Sequence, residues 1–428
     1  MTMPQTRHYE MTDSGVEWIG EMPRHWNTLR LQKIYRIKKD IAGTAGHTVL
    51  SVTQHGIKPK NMDSKGQFAL DYSKYQLVKS GDFVMNHMDL LTGWVDISKY
   101  DGVTSPDYRV FTSIANCQNT FFKYIFQFCY MNRVFYGLGQ GVADVGRWRL
   151  PADMFRKFML PVPPLPEQTA IATYLDEKCA TIDAIIAEAK ASIEEYKSWK
   201  ASVIFETVTK GLNPNAEMKD SGVEWIGSIP KAWQYVPLKY LASCNDEVLT
   251  EATPEDYTFD YIDIGSVHTG NGIGMCERMQ FKDAPSRARR IVRDGDIIVS
   301  TVRTYLKAIA QVGNYDVPHI ASTGFAVIRT KNANASFLKY ALLSDNFVSQ
   351  VEADSVGISY PAINATQIMA FKIPVPSIAE QTDIALYLDD KCAAIDGVIA
   401  EKEALIGELE SYKKSLIFET VTGKRRVC

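Results

Sequence analysis

The chain has 428 residues, 46% hydrophobic and 23% charged, a balance that fits a folded protein with more than one core and excludes a disordered tract. No apolar run approaches the roughly 18 residues a membrane-spanning helix requires. The net charge of −3 speaks against a nucleic-acid partner, but residues 1–160 carry 20 Lys and Arg against 14 Asp and Glu while 161–212 carry 5 against 8.

Residues 1–12 form a loose arm without the apolar core of a signal peptide, so a cytoplasmic protein is expected. The segment DSGVEWIG at Asp13 to Gly20 follows, with Met22, Pro23 and Trp26 behind it. It returns as DSGVEWIG at Asp220 to Gly227, with Ile229, Pro230 and Trp233. Gly and Pro set turns there, and each Trp is expected to pin its segment onto its own domain's core. LVKSGDFVMN at Leu77 to Asn86 corresponds to IVRDGDIIVS at Ile291 to Ser300, each a Gly-Asp turn leading into a strand. TFFKY at Thr120 to Tyr124 matches SFLKY at Ser336 to Tyr340 and opens an aromatic-rich helix running towards Gly137. Strands are predicted over Phe83 to Met88, Val110 to Ile114, Thr258 to Ile264, Ile297 to Val302 and Phe325 to Arg329, so each globular half is mixed α and β.

The motif PVP, at 161–163 and 374–376, marks the exit from each half into a long helix. Glu167 to Thr209 reappears as Glu380 to Thr422, matching at 28 of 43 positions without a gap. Apolar residues recur at alternating spacings of four and three: Leu175, Cys179, Ile182, Ile186, Ala189 and Ile193, then Leu388, Cys392, Ile395, Ile399 and Ile406. That seam predicts two rods that lie along other helices, each about 44 residues or roughly 66 Å. Ser377 with Glu380 has capping-box spacing, Pro164 stands in its place in the first copy and suggests a different start there, and Gly211 and Gly423 supply the stops. Offsets between the halves wander from 207 to 216 in the globular parts, whereas the rods keep 213. Length is held in the rods and free in the domains.

Catalytic constellations are missing. Thr422-Gly423-Lys424-Arg425 lacks the upstream glycine and the hydroxyl of a phosphate-cradling loop, and GLGQG at Gly137 to Gly141 follows a helix where a dinucleotide fingerprint follows a strand. The acid and Lys group Asp176, Glu177 and Lys178 reads as surface charge on a rod flank. His25, His55, His87, His268 and His319 have no ligand spacing, and the seven cysteines form no CxxC pair, so neither zinc nor disulfides are expected. Cationic segments are the better candidates for chemistry. Arg278 to Lys307 holds 8 basic residues against 3 acidic ones. Within it Arg287, Arg289, Arg290 and Arg293 flank a turn, and Arg303, Tyr305 and Lys307 follow the next strand. The first half offers Lys58, Lys60 and Lys65 in one loop, and Arg147 and Arg149 around Trp148. These residue types serve DNA phosphates and base edges.

The order of globular half, PxPxxxEQ helix ending in IFETVT, DSGVEWIGxxPxxW, second half and second EQ helix resembles the specificity subunits of type I restriction-modification systems over essentially the whole chain. The resemblance implies an α+β chain: two mixed α/β target recognition domains separated by two long antiparallel coiled-coil helices, in an internal pseudo-two-fold repeat. The implied divisions are recognition domains at 1–160 and 213–373, a central spacer helix at 161–212 and a C-terminal one at 374–428. It further implies that each recognition domain reads one half of a bipartite double-stranded DNA target. The helices would set the spacer and dock two methyltransferase subunits, with restriction subunits as further partners and no membrane role. This chain would then be non-catalytic and without a cofactor, with S-adenosylmethionine, ATP and Mg held by partner subunits. A non-DNA coiled-coil scaffold with two paralogous binding domains is the alternative, and a nuclease a further one.

Overall fold

The computed structural model describes residues 9–54, 56–60, 72–141, 148–223, 226–268, 272–357 and 359–427. The chain folds as two compact units, the first assembled from both ends of the sequence and the second from its middle. One comprises Met1–Ala189 with Glu403–Cys428, the other Lys190–Lys402. The linear division expected from the sequence differs because each rod, Leu165–Lys210 and Ile378–Val421, is too long for one globule and gives half its length to each unit.

In the first unit a four-stranded antiparallel sheet runs in the order Tyr35–Lys38, Arg109–Ser113, Phe83–Met85, Val95–Ile97. The second unit repeats it with Ala242–Cys244, Phe325–Thr330, Ile297–Ser300 and Ile309–Gln311. Equal topology is filled differently. Phe83 stacks on Phe111 at 4.9 Å with Tyr35 and Phe126 edge-on, whereas the second sheet packs Ile297, Val299, Ile309 and Ile328 against Phe337 and Leu338. In the second unit another four-stranded sheet adds Glu277–Gln280, Thr258–Ile262, His319–Ser322 and Ala288–Val292. The first unit carries instead the hairpin Leu50–Thr53 with Gly56–Pro59 and the pair Gln76–Val78 with Gly102–Thr104.

The repeated motifs explain themselves as fasteners. Asp82 of the first Gly-Asp turn is buried and accepts from Lys38 Nζ at 2.6 Å and from the Lys79 amide at 2.9 Å. Asp296 of the second accepts from Arg329 at 2.7 and 2.9 Å and from the Arg293 amide at 2.8 Å. That carboxylate is the main reason the Arg329 guanidinium is held above its ordinary range. The aromatic helix expected to reach Gly137 ends at Met131, because Arg133 adopts a left-handed φ of 56° before a short turn at Val134–Gly137.

Both rods begin at the same register, Leu165 and Ile378, so Pro164 does not shift the first start as the sequence suggested. The Pro164 carbonyl accepts from Gln168 N at 3.0 Å as the Ser377 carbonyl does from Gln381 N at 2.9 Å, a bond that requires no hydroxyl. Glu167 accepts from Trp26 Nε1 at 2.9 Å, and Glu380 from Trp233 Nε1 at 3.1 Å. Gln168 bridges the Gln118 amide and the Pro163 carbonyl, and Gln381 bridges the Asn334 amide and the Pro376 carbonyl. Asp176 takes Tyr124 Oη at 2.7 Å and Lys123, while Asp389 takes Tyr340 Oη at 2.7 Å and Lys339. Asp176 is therefore a clamp between domain and rod, and not the loose surface charge its flank position suggested.

Within each unit the two rod segments run antiparallel. Asp183 pairs with Lys413 at 2.6 Å in the first unit, and the repeat-equivalent Asp396 with Lys200 at 2.6 Å in the second. Leu175, Cys179, Ile182, Ile186, Ile193, Leu388, Cys392 and Ile395 are buried as the seam predicts, and Ile399 and Ile406 are half-buried. The closing glycines are demanded by contact as well as by φ: a Cβ on Gly423 would lie 2.3 Å from Pro23 Cδ, and one on Gly211 3.0 Å from the Trp233 ring.

Gln381 is 1% exposed, so Gln381→Ala strands a backbone N–H and a carbonyl in the interior. The expected loss is about 2–4 kcal/mol, read as an earlier urea midpoint for the whole chain. An unmoved midpoint would refute the fastener role.

Candidate nucleic-acid interface

The basic run of the second unit separates into used and unused charge. Arg293 meets Glu247 through Nε at 3.0 Å and Nη2 at 2.5 Å. Arg289 lies over the Phe281 ring at 4.9 Å and reaches Glu251 at 3.4 Å. Arg290 is half-buried, and its Nε is buried without a partner, where the sequence led to an exposed DNA-facing cation. Arg289, on strand Ala288–Val292, and Arg293, just after it, thus each have a carboxylate partner within the domain, and that strand pairs with His319–Ser322.

Arg287 and Arg303 are different. Both are exposed, neither has a carboxylate partner among the described residues, and both line a cleft of about 710 Å³ together with Tyr261, Asp263, His268 and Ser322. Arg303 lies 5.2 Å from the Tyr360 ring centroid, which restrains it without neutralising it. Its φ of 52° and the φ of 51° at Lys307 bracket the 3-10 turn Thr304–Leu306 and present Tyr305 to solvent. Lys307 reaches Glu352 at 3.9 Å.

In the first unit Lys65 and Arg147 lie outside the described residues. Lys58 is exposed on strand Gly56–Pro59, and Lys60 is half-buried. The hairpin carrying Lys58 touches the turn after Phe83–Met85, where Gln54 Nε2 donates to the Thr92 carbonyl at 3.4 Å. Arg149 is exposed beside the same turn, because its neighbours Trp148 and Leu150 exchange backbone bonds with Leu90 and His87. His87 Nδ1 is buried and unpartnered, unlike the surface or bonded histidine expected. Burial, then the Arg109 and Arg149 cations, push His87 down to about 4, so it is neutral at pH 7 and adds no charge to this surface. Turn residues such as Leu91 were absent from the sequence-derived candidates; their signal was the strand-turn-strand correspondence between Leu77 to Asn86 and Ile291 to Ser300.

Each unit thus offers exposed arginine, without a carboxylate partner among the described residues, beside one tight turn, on a domain fastened to a rod by equivalent residues. The family described as type I restriction modification DNA specificity domain matches residues 44–195 and 230–405, and the chain belongs to it as a specificity subunit with two such domains. It is 26% identical over 303 residues to the type I restriction enzyme MjaVIII specificity subunit of Methanocaldococcus jannaschii, covering 68% of this chain and 66% of that relative. It is 23% identical to the putative type I restriction enzyme MjaX specificity subunit of the same organism over 96% of each chain. The fold is that of a chain in a solved structure described as the structural basis underlying complex assembly and conformational transition of the type I R-M system. The TM-score is 0.68 at 13% identity, covering 94% of this chain and 99% of that one. Among the described residues no helix is long and apolar enough to cross a membrane.

Proposed function

We propose that each recognition domain reads one half of a bipartite, asymmetric double-stranded DNA target, with the rods setting the gap between the halves and docking two methyltransferase subunits. The observation that carries this reading is the pair Arg287 and Arg303, exposed, lining one cleft and without a carboxylate partner among the described residues. A guanidinium kept free of carboxylates remains available to phosphates or to the O6 and N7 edge of guanine. The duplicated rods support the gap-setting part, since 46 and 44 residues of uninterrupted helix are stiff enough to hold a distance.

The chain itself is non-catalytic in this reading. Methyl transfer to adenine from S-adenosylmethionine, and any ATP- and Mg-dependent cleavage, belong to methyltransferase and restriction subunits in the cytoplasm. Binding of target DNA by the complex of this chain with its methyltransferase should weaken steeply with salt, by nearly one log unit per log unit of salt for each phosphate neutralised. A flat salt dependence would favour the scaffold reading instead.

A further inference from the structure

The turn joining the last two strands of the four-stranded sheet common to both units occurs twice, built from unrelated residues. In the first unit it links Phe83–Met85 to Val95–Ile97, and in the second Ile297–Ser300 to Ile309–Gln311. In the first, Asp89 Oδ1 accepts the amides of Leu91 at 2.9 Å and Thr92 at 3.0 Å, and the Asp89 carbonyl accepts Gly93 N at 3.0 Å. A Cβ on Gly93 would stand 2.0 Å from that carbonyl oxygen, so the turn tolerates only glycine there. In the second, two left-handed residues, Arg303 and Lys307, close the turn through Leu306 N to Arg303 O and Lys307 N to Thr304 O, both 2.9 Å. Non-glycine residues occupy that region only where the surroundings over-determine it.

Each turn buries one residue and exposes the next. Leu90 is 1% exposed and its amide bonds Trp148 O; Thr304 is 3% exposed and its hydroxyl donates to Ser355 Oγ at 2.9 Å. The following residues, Leu91 and Tyr305, are 52% and 53% exposed. A single exposed Leu or Tyr is ordinary. Here it recurs at the same tip of two domains with different cores, on turns locked by different bonds, with Leu306 beside Tyr305 also 43% exposed. Beside each tip stands exposed arginine with no carboxylate partner among the described residues: Arg149 in the first unit, Arg303 and Arg287 in the second. A rigid apolar point flanked by exposed cations fits a duplex, with phosphates for the cations and an unstacked base step for the point.

We propose that Leu91 and Tyr305 are wedge residues, each pressing into a base step of its own half-site and partly unstacking it. This rests on the DNA-reading function above. The test uses the complex of the full chain with its methyltransferase partner and target duplexes carrying 2-aminopurine, moved step by step through each half-site and kept off the methylated adenine. Fluorescence should rise at one step per half-site on binding. Leu91→Ala should abolish the rise in one half-site only and Tyr305→Ala in the other only, each with about 5- to 50-fold weaker binding. Tyr305→Phe should retain both. Rises that survive the alanine variants, or no rise in a complex that binds with steep salt dependence, would overturn the wedge and leave DNA reading standing. A complex with no salt-sensitive binding would remove both.

Discussion

Four residues inserted into each rod, after Ala189 and after Lys402, should lengthen the unspecified gap of the methylated motif by one or two base pairs and leave both half-sites unchanged. The insertion points divide the two compact units, so neither globular core is disturbed. Inside each unit the rod segments keep their partners, Asp183 with Lys413 and Lys200 with Asp396, because both members of each pair belong to the same unit. Each domain also keeps its fasteners, Gln168 and Asp176 or Gln381 and Asp389. Four residues add about 6 Å of helix. One base pair rises about 3.4 Å. The changed motif is read by sequencing modified bases in genomic DNA, and a gap that stays the same would contradict the rods' role.

Arg287→Ala and Arg303→Ala should each weaken target binding by about 1–3 kcal/mol, and together they should lower the salt slope by up to about two. The contrast is Arg293→Ala. That guanidinium is already neutralised by Glu247, so its removal should leave the salt slope nearly unchanged. Titrations of labelled target DNA at several salt concentrations separate the two classes. Equal slopes for all three variants would mean that the cleft does not face phosphate.

Much of the architecture is legible in the sequence because it is written locally. A seam at spacings of three and four needs only its own helix, and an ungapped repeat needs only itself. The buried residues from Leu175 to Ile193 and from Leu388 to Ile395 follow it directly. What could not be read was who answers a charge. Arg289 and Arg293 look like free cations in sequence, yet their partners Glu251 and Glu247 sit 38 and 46 residues away. The same limit hid Asp176, whose partner Tyr124 belongs to another element, and Gln168, which looks like an ordinary first-turn residue until its two backbone partners converge. Leu91 escaped for a further reason: an exposed leucine carries no signal until the topology shows that it holds the position in its own turn that Tyr305 holds in the other.

The most direct measurement is a map of modified bases in a methylation-free host expressing this chain with its methyltransferase subunit. A bipartite adenine-methylated motif with a constant gap, lost when this chain is omitted, is the predicted result. No motif from a soluble, associated pair, or the same motif without this chain, would contradict a role in DNA sequence specificity.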